Sequence, residues 1–248
     1  MEVSSFEFEV TPRKTPKIKN MNSNIRYRDA VLIVIILISS INMLQAQDGE
    51  FKYGTRIGLG ESQLNFTNIS GESNKLALSI GITSAYQFNK ILGVSADFLF
   101  TSKGGKRDGI ETTSNSLGFN QEYEFEDKYR LFYAELPLAL TLRVPLKDNF
   151  YLRGFAGPSI NFKLFATESR LYEDESFNEK NGYSNRSIEA LETVDYSYFY
   201  GIGVEIIGSD ERSYLLDFRL SEPLGSAGEI GNVQVENSYF LISAGCLF

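Results

Sequence analysis

The chain has 248 residues, 24 of them basic and 32 acidic, for a formal net charge of −8, with one cysteine, 14 tyrosines, 19 phenylalanines and neither histidine nor tryptophan. An acidic chain of this kind is excluded as a nucleic-acid binder by phosphate repulsion, and the missing imidazole removes the Ser-His-Asp hydrolase in its usual form. Cys246 has no partner for an intramolecular disulfide, so a folded, exported form must hold together without one.

The first recognisable element is the apolar run Ala30–Leu44, which at 15 residues is short of the roughly 20 a membrane helix needs. Arg26 and Arg28 precede it and Leu44-Gln45-Ala46 follows, giving the charged, apolar and small-residue parts of a secretory signal in order. Residues 1–46 are read as a signal peptide with an upstream extension, cleaved after Ala46, and residues 47–248 as the mature domain. Cleavage removes six basic and four acidic residues and leaves 18 and 28, a net charge of −10.

In the mature part, apolar and small or polar residues alternate with a period of two, as on a strand with one greasy face. Tyr53, Ile57 and Leu59 oppose Lys52, Arg56 and Gly58 in the first segment, Phe51–Gly60. Leu76 to Phe88 and, after Asn89-Lys90, Leu92 to Thr101 read as a hairpin, with Asp97 on the polar side. Phe132 to Val144 follows, its apolar parity interrupted by Glu135 and Arg143 on the other. Past a turn at 146–149 comes the strand Leu152–Leu164, with Arg153 and Lys163 on the polar side, then Tyr198–Ile206 with Glu205. Tyr214–Leu220, with Asp217 and Arg219, and Phe240–Phe248 complete eight.

Eight is the smallest usual number for a closed membrane barrel, and it is even, as in the bacterial class. The connections alternate between short turns near Asn89, Asp148 and Asp210 and long polar stretches over 60–74, 102–128, 166–193 and 221–236. That is the arrangement of an outer-membrane barrel, with turns in the periplasm and loops outside. The fold expected is therefore an all-β, eight-stranded, antiparallel up-and-down transmembrane barrel in the outer membrane. A soluble barrel would use the same alternation with the faces exchanged, but it would have to pack all the large aromatics into one small lumen.

The polar face then carries Lys52, Arg56, Asp97, Glu135, Arg143, Arg153, Lys163, Glu205, Asp217 and Arg219 into a lumen that side chains about fill. A salt-bridged plug is the structural expectation, because charges in a narrow lumen must be paired to offset desolvation. A narrow passive channel for ions or small solutes is the alternative. Asp97 and Glu135 also form a carboxylate pair that an acid–base reading would use, although a non-enzymatic barrel is the reading preferred. Carboxylates crowd the long connections: Asp108, Glu111, Glu122, Glu124, Glu126 and Asp127 in one, Glu168, Glu173, Asp174, Glu175, Glu179, Glu189 and Glu192 in another. They lack the spacing of an EF-hand, so solvated loops are expected, with no metal or cofactor assigned.

The segments YGTRIGLGESQLNF from Tyr53, DFLFTSKGGK from Asp97, YAELPLAL from Tyr133 and LRGFAGPSI from Leu152, with the aromatic terminus Phe248, resemble the PorT-like outer-membrane β-barrel family of Bacteroidetes. The resemblance covers nearly all of the mature chain and implies an eight-stranded barrel. The function expected is structural or interactive: an anchor among outer-membrane lipid and lipopolysaccharide, showing acidic loops to a protein partner such as an envelope or secretion assembly would supply.

Overall fold

A computed structural model describes residues 49–67, 71–114, 119–230 and 233–248; the expected signal segment lies outside them. Eleven strands and one short helix follow in order: β1 (Glu50–Phe66), β2 (Glu72–Ser73), β3 (Lys75–Gln87), β4 (Leu92–Ser114), β5 (Asn120–Lys147), β6 (Phe150–Tyr172), α1 (Glu175–Asn181), β7 (Tyr183–Ser187), β8 (Val194–Ile207), β9 (Ser213–Pro223), β10 (Glu229–Ile230) and β11 (Val233–Leu247). Eight of them form a ring in the order β1-β3-β4-β5-β6-β8-β9-β11, every neighbour antiparallel. The ring closes where β1 pairs with β11, from Gly54 opposite Leu247 to Phe66 opposite Val235. Closure satisfies every edge, which a sheet in hydrocarbon must do.

Burial alternates along the ring strands with the expected parity. On β5, Leu136, Leu138, Leu140 and Leu142 are exposed while Glu135, Ala139, Thr141 and Arg143 are buried. The greasy face is therefore outside, and the buried set is polar, the inverse of a soluble core. Exposed apolar side chains form a band from Phe51, Tyr53 and Leu146 at the turn end to Leu76, Phe100 and Phe165 at the other.

Three strands run well past the expected limits. The stretches 102–114 and 120–128, expected as loop, belong to β4 and β5, and β6 continues to Tyr172. At roughly 3.3 Å per residue, the 28-residue β5 far exceeds an apolar band about 25 Å tall, so its first part stands outside the membrane. Both faces of that ribbon meet water, so hydrophobic alternation gives no sign of it, while the ladder continues to Ser114 opposite Asn120. β7 adds to β6 at its outer end. Asp174 caps α1, its carboxylate accepting from the Phe177 amide at 2.8 Å.

Candidate functional site: the lumen and its outer cap

Inward parity brings charges from six strands to the barrel axis. Arg143 on β5 and Arg153 on β6 stand directly opposite in register, a repulsive pair by itself. Glu205 on β8 resolves it, 2.8 Å from Arg143 and 3.7 Å from Arg153. Arg153 also reaches Asp217 on β9 at 3.4 Å, and Asp217 holds Arg56 on β1 at 2.9 Å. Arg56 approaches Asp97 on β4 at 3.7 Å, and Asp97 takes Arg219 at 2.8 Å and the Thr83 hydroxyl at 2.6 Å. Four arginines and three carboxylates thus alternate along one chain of contacts, each of the seven 6% exposed or less. Charges so buried survive because each faces its opposite, and the Arg219 guanidinium also lies 4.7 Å from the Phe199 ring centre.

Glu135 belongs to a separate cluster. Lys103 lies 2.9 Å from it, Tyr239 and Thr101 donate hydroxyl hydrogen bonds at 2.7 and 3.0 Å, and the Lys103 ammonium sits over the Tyr133 ring at 4.2 Å. Asp97 and Glu135 therefore have different ionic partners. At the turn end of the lumen, Lys52 bonds the Glu211 carbonyl at 2.8 Å and Ser213 at 3.2 Å, tying β1 to the β8–β9 turn.

Lys163 stands apart from both clusters. Its ammonium donates to the Leu191 carbonyl at the outer rim, and among the described residues it forms no ion pair. Lys163 keeps the inward parity of Asn161, opposite the buried Tyr133, but it is the last lumen-facing position of β6 before the register shift at Phe132, next to the Leu191 segment rather than to a carboxylate.

Above the Glu135 cluster the lumen is crossed by an apolar layer of Leu64, Phe66, Tyr129, Leu131, Ile188 and Val235. Outside that layer a cavity of about 770 Å³ opens between Arg107, Arg170, Tyr183 and Arg186. Two of its lining arginines hold a carboxylate expected to be solvated: Asp127 is 2% exposed, with Arg107 at 2.6 Å and Arg170 in a two-point contact at 2.7 and 2.9 Å. Hydrogen bonding to Asp127 holds the Arg170 guanidinium above its ordinary value. Lys103, Arg107 and Arg170 were missed because all three lie in stretches expected as loop; continuing the β4 parity from Asp97 and Thr101 by one step would have found Lys103. Among the described residues no group of three or more metal-ligating side chains is placed to hold an ion.

A polar, ion-paired lumen inside an apolar band is what a lipid-embedded barrel requires, and residues 45–227 match the family described as outer membrane protein beta-barrel domain. The chain belongs to that family. This outer-membrane β-barrel is similar in fold to Ail, the attachment invasion locus protein of Yersinia pestis, solved in complex with the heparin analogue sucrose octasulfate. Identity is 16%, covering 80% of this chain and 99% of that one, with a TM-score of 0.36. Neisserial surface protein A is 10% identical over 79% of this chain and 95% of its own, with a TM-score of 0.41. OprG from Pseudomonas aeruginosa is 10% identical over 81% and 95%, with a TM-score of 0.36. Among curated proteins, no sequence matches the chain.

Proposed function

We propose that this barrel is a closed anchor that presents its outer ribbon to a protein partner, and that it does not serve as a pore. The observation carrying the reading is the unbroken alternation of Arg143, Glu205, Arg153, Asp217, Arg56, Asp97 and Arg219 through the lumen. An ion entering would have to part pairs that compensate each other's charge in a low dielectric, and the apolar layer of Leu64, Leu131 and Val235 lies beyond them. On this reading the ten lumen charges first identified divide into eight that plug the barrel, Lys52, which ties its turn end, and Lys163, which fastens the rim. Paired as they are, Asp97 and Glu135 lack the free proton-acceptor position of an acid–base couple, which favours a non-enzymatic role.

Within its family we place the chain with the PorT-like barrels of Bacteroidetes, on the four segments quoted above and Phe248. A rigid scaffold carrying long external strands is where a binding surface belongs, and β4, β5 and β6 supply one suited to an envelope or secretion assembly. In planar bilayers the folded protein is expected to remain electrically silent. Sustained unitary currents would overturn the closed lumen and favour the narrow channel. A crosslinker placed at Glu122 in living cells should capture one recurrent protein; capture of lipid alone would remove the partner from the reading.

A further inference from the structure

Where the apolar band ends on β3, β4 and β5, four cations gather on adjoining strands. Lys106 and Lys128 are directly opposite in register, and Arg130 follows Lys128 by two residues on the same face of β5. Like charges placed this way repel. Glu126 offsets part of the repulsion, 3.0 Å from Lys106 and 2.6 Å from Lys128, and these bonds hold its carboxyl below the ordinary value. Lys75, at the end of β3 just beyond the band, donates to the Tyr129 carbonyl at 3.0 Å. Burial, reinforced by Arg130 and Lys106, pulls its ammonium down to about 8. Arg130 is exposed, and its side chain makes no hydrogen bond or ion pair among the described residues.

The surroundings fix the height of this patch. Immediately below are the exposed Leu76, Phe100 and Phe165, the last stacked on Phe132 at 4.3 Å between ring centres. The next row outward is acidic, with Asp108 opposite Glu126. The same rim carries Glu61 on β1, opposite Leu76 and bound by Asn74 at 2.8 Å, and, across the closing seam on β9, Glu222. In a chain with excess acid, cations are concentrated on one sector and at one level, between hydrocarbon and water.

We propose that Lys75, Lys106, Lys128 and Arg130 form a site for the phosphate of an outer-leaflet lipid headgroup. The acyl chains lie along Leu76, Phe100 and Phe165, and the phosphate supplies the anion that Arg130 lacks. A phosphomonoester carries about 1.5 to 2 negative charges, and Arg130 can meet two of its oxygens at once. The site rests on the outer-membrane placement of the barrel and is independent of the closed lumen.

The test uses the folded protein in phosphatidylcholine nanodiscs containing a minor fraction of phosphatidic acid or of diacylglycerol with the same chains. Lipid kept through detergent extraction is counted by native mass spectrometry. Phosphatidic acid should be retained well above diacylglycerol, and each neutralised cation should cost about fivefold, as for basic residues at an anionic membrane surface. Arg130→Gln with Lys128→Gln should therefore lose about 25-fold, while Glu61→Gln with Glu222→Gln should lose nothing. Heat-modifiable mobility reports folding; if the double variant does not fold, Arg130→Gln alone must show the fivefold loss. Equal retention of the two lipids, or an unaffected Arg130→Gln, overturns the site. Displacement by millimolar inorganic phosphate would make it a soluble-anion site and end the lipid assignment. A barrel that conducts yet keeps phosphatidic acid ends the closed-lumen reading alone; a silent barrel without phosphate preference ends only this one.

Discussion

Neighbouring residues of one strand live in different solvents. Leu140 is 53% exposed on the lipid face of β5, whereas Thr141 is fully buried towards the lumen. Arginine on the lipid face near the midplane costs roughly 2–4 kcal/mol, so Leu140→Arg should lower the urea midpoint of refolded protein or block insertion. Thr141→Arg enters a polar interior, where crowding of about 1–3 kcal/mol is the opposing effect. Because these ranges overlap, labelling separates the faces better. In a Cys246→Ser background a bilayer-confined thiol reagent should modify Leu140→Cys and spare Thr141→Cys. The reverse pattern would mean that the apolar face is inside.

At the scale of elements, the barrel depends on one seam between strands distant in sequence. Gly54 lies in it: a Cβ there would sit 1.7 Å from the Cys246 carbonyl oxygen on β11, which is backbone and cannot rotate away. Gly154 on β6 has open space around its missing side chain. Gly54→Ala is expected to cost about 1–3 kcal/mol by forcing β1 from β11, and Gly154→Ala to stay within about 0.5 kcal/mol, as surface changes do. Equal urea midpoints for the two variants would contradict the register of the closing pair. The same seam explains the charge chain, since Arg56 meets Asp217 only when β1 has closed onto β11, next to β9.

For the whole molecule, direction follows from the contrast between the ends of the strands. Tight turns near Asn89, Asp148 and Asp210 lie at one end, and the extended ribbon of β4, β5 and β6 at the other. Short turns inside and long segments outside are the outer-membrane rule. On intact cells lacking Cys246, a membrane-impermeant maleimide should label Glu122→Cys on the ribbon and leave Asp148→Cys untouched until the outer membrane is permeabilised. Labelling of Asp148→Cys on sealed cells would show the opposite orientation.

The sequence by itself determined which side chains face lipid and which face inward, because a period of two is a local property and both solvents impose it on every strand. It determined the number of ring strands for the same reason. The tertiary structure alone decided who pairs with whom: Glu205 between Arg143 and Arg153, or Lys103 on Glu135, are contacts between strands whose register is set by closure and not by any local pattern. It also decided where the strands end. Outside the bilayer both faces meet water and alternation vanishes, so the ribbon, the buried Asp127 and the cations at the rim emerged only with the pairing of β4, β5 and β6. Lys163 shows the limit most plainly, since its inward parity was legible while its partner, the Leu191 carbonyl 28 residues on, was not.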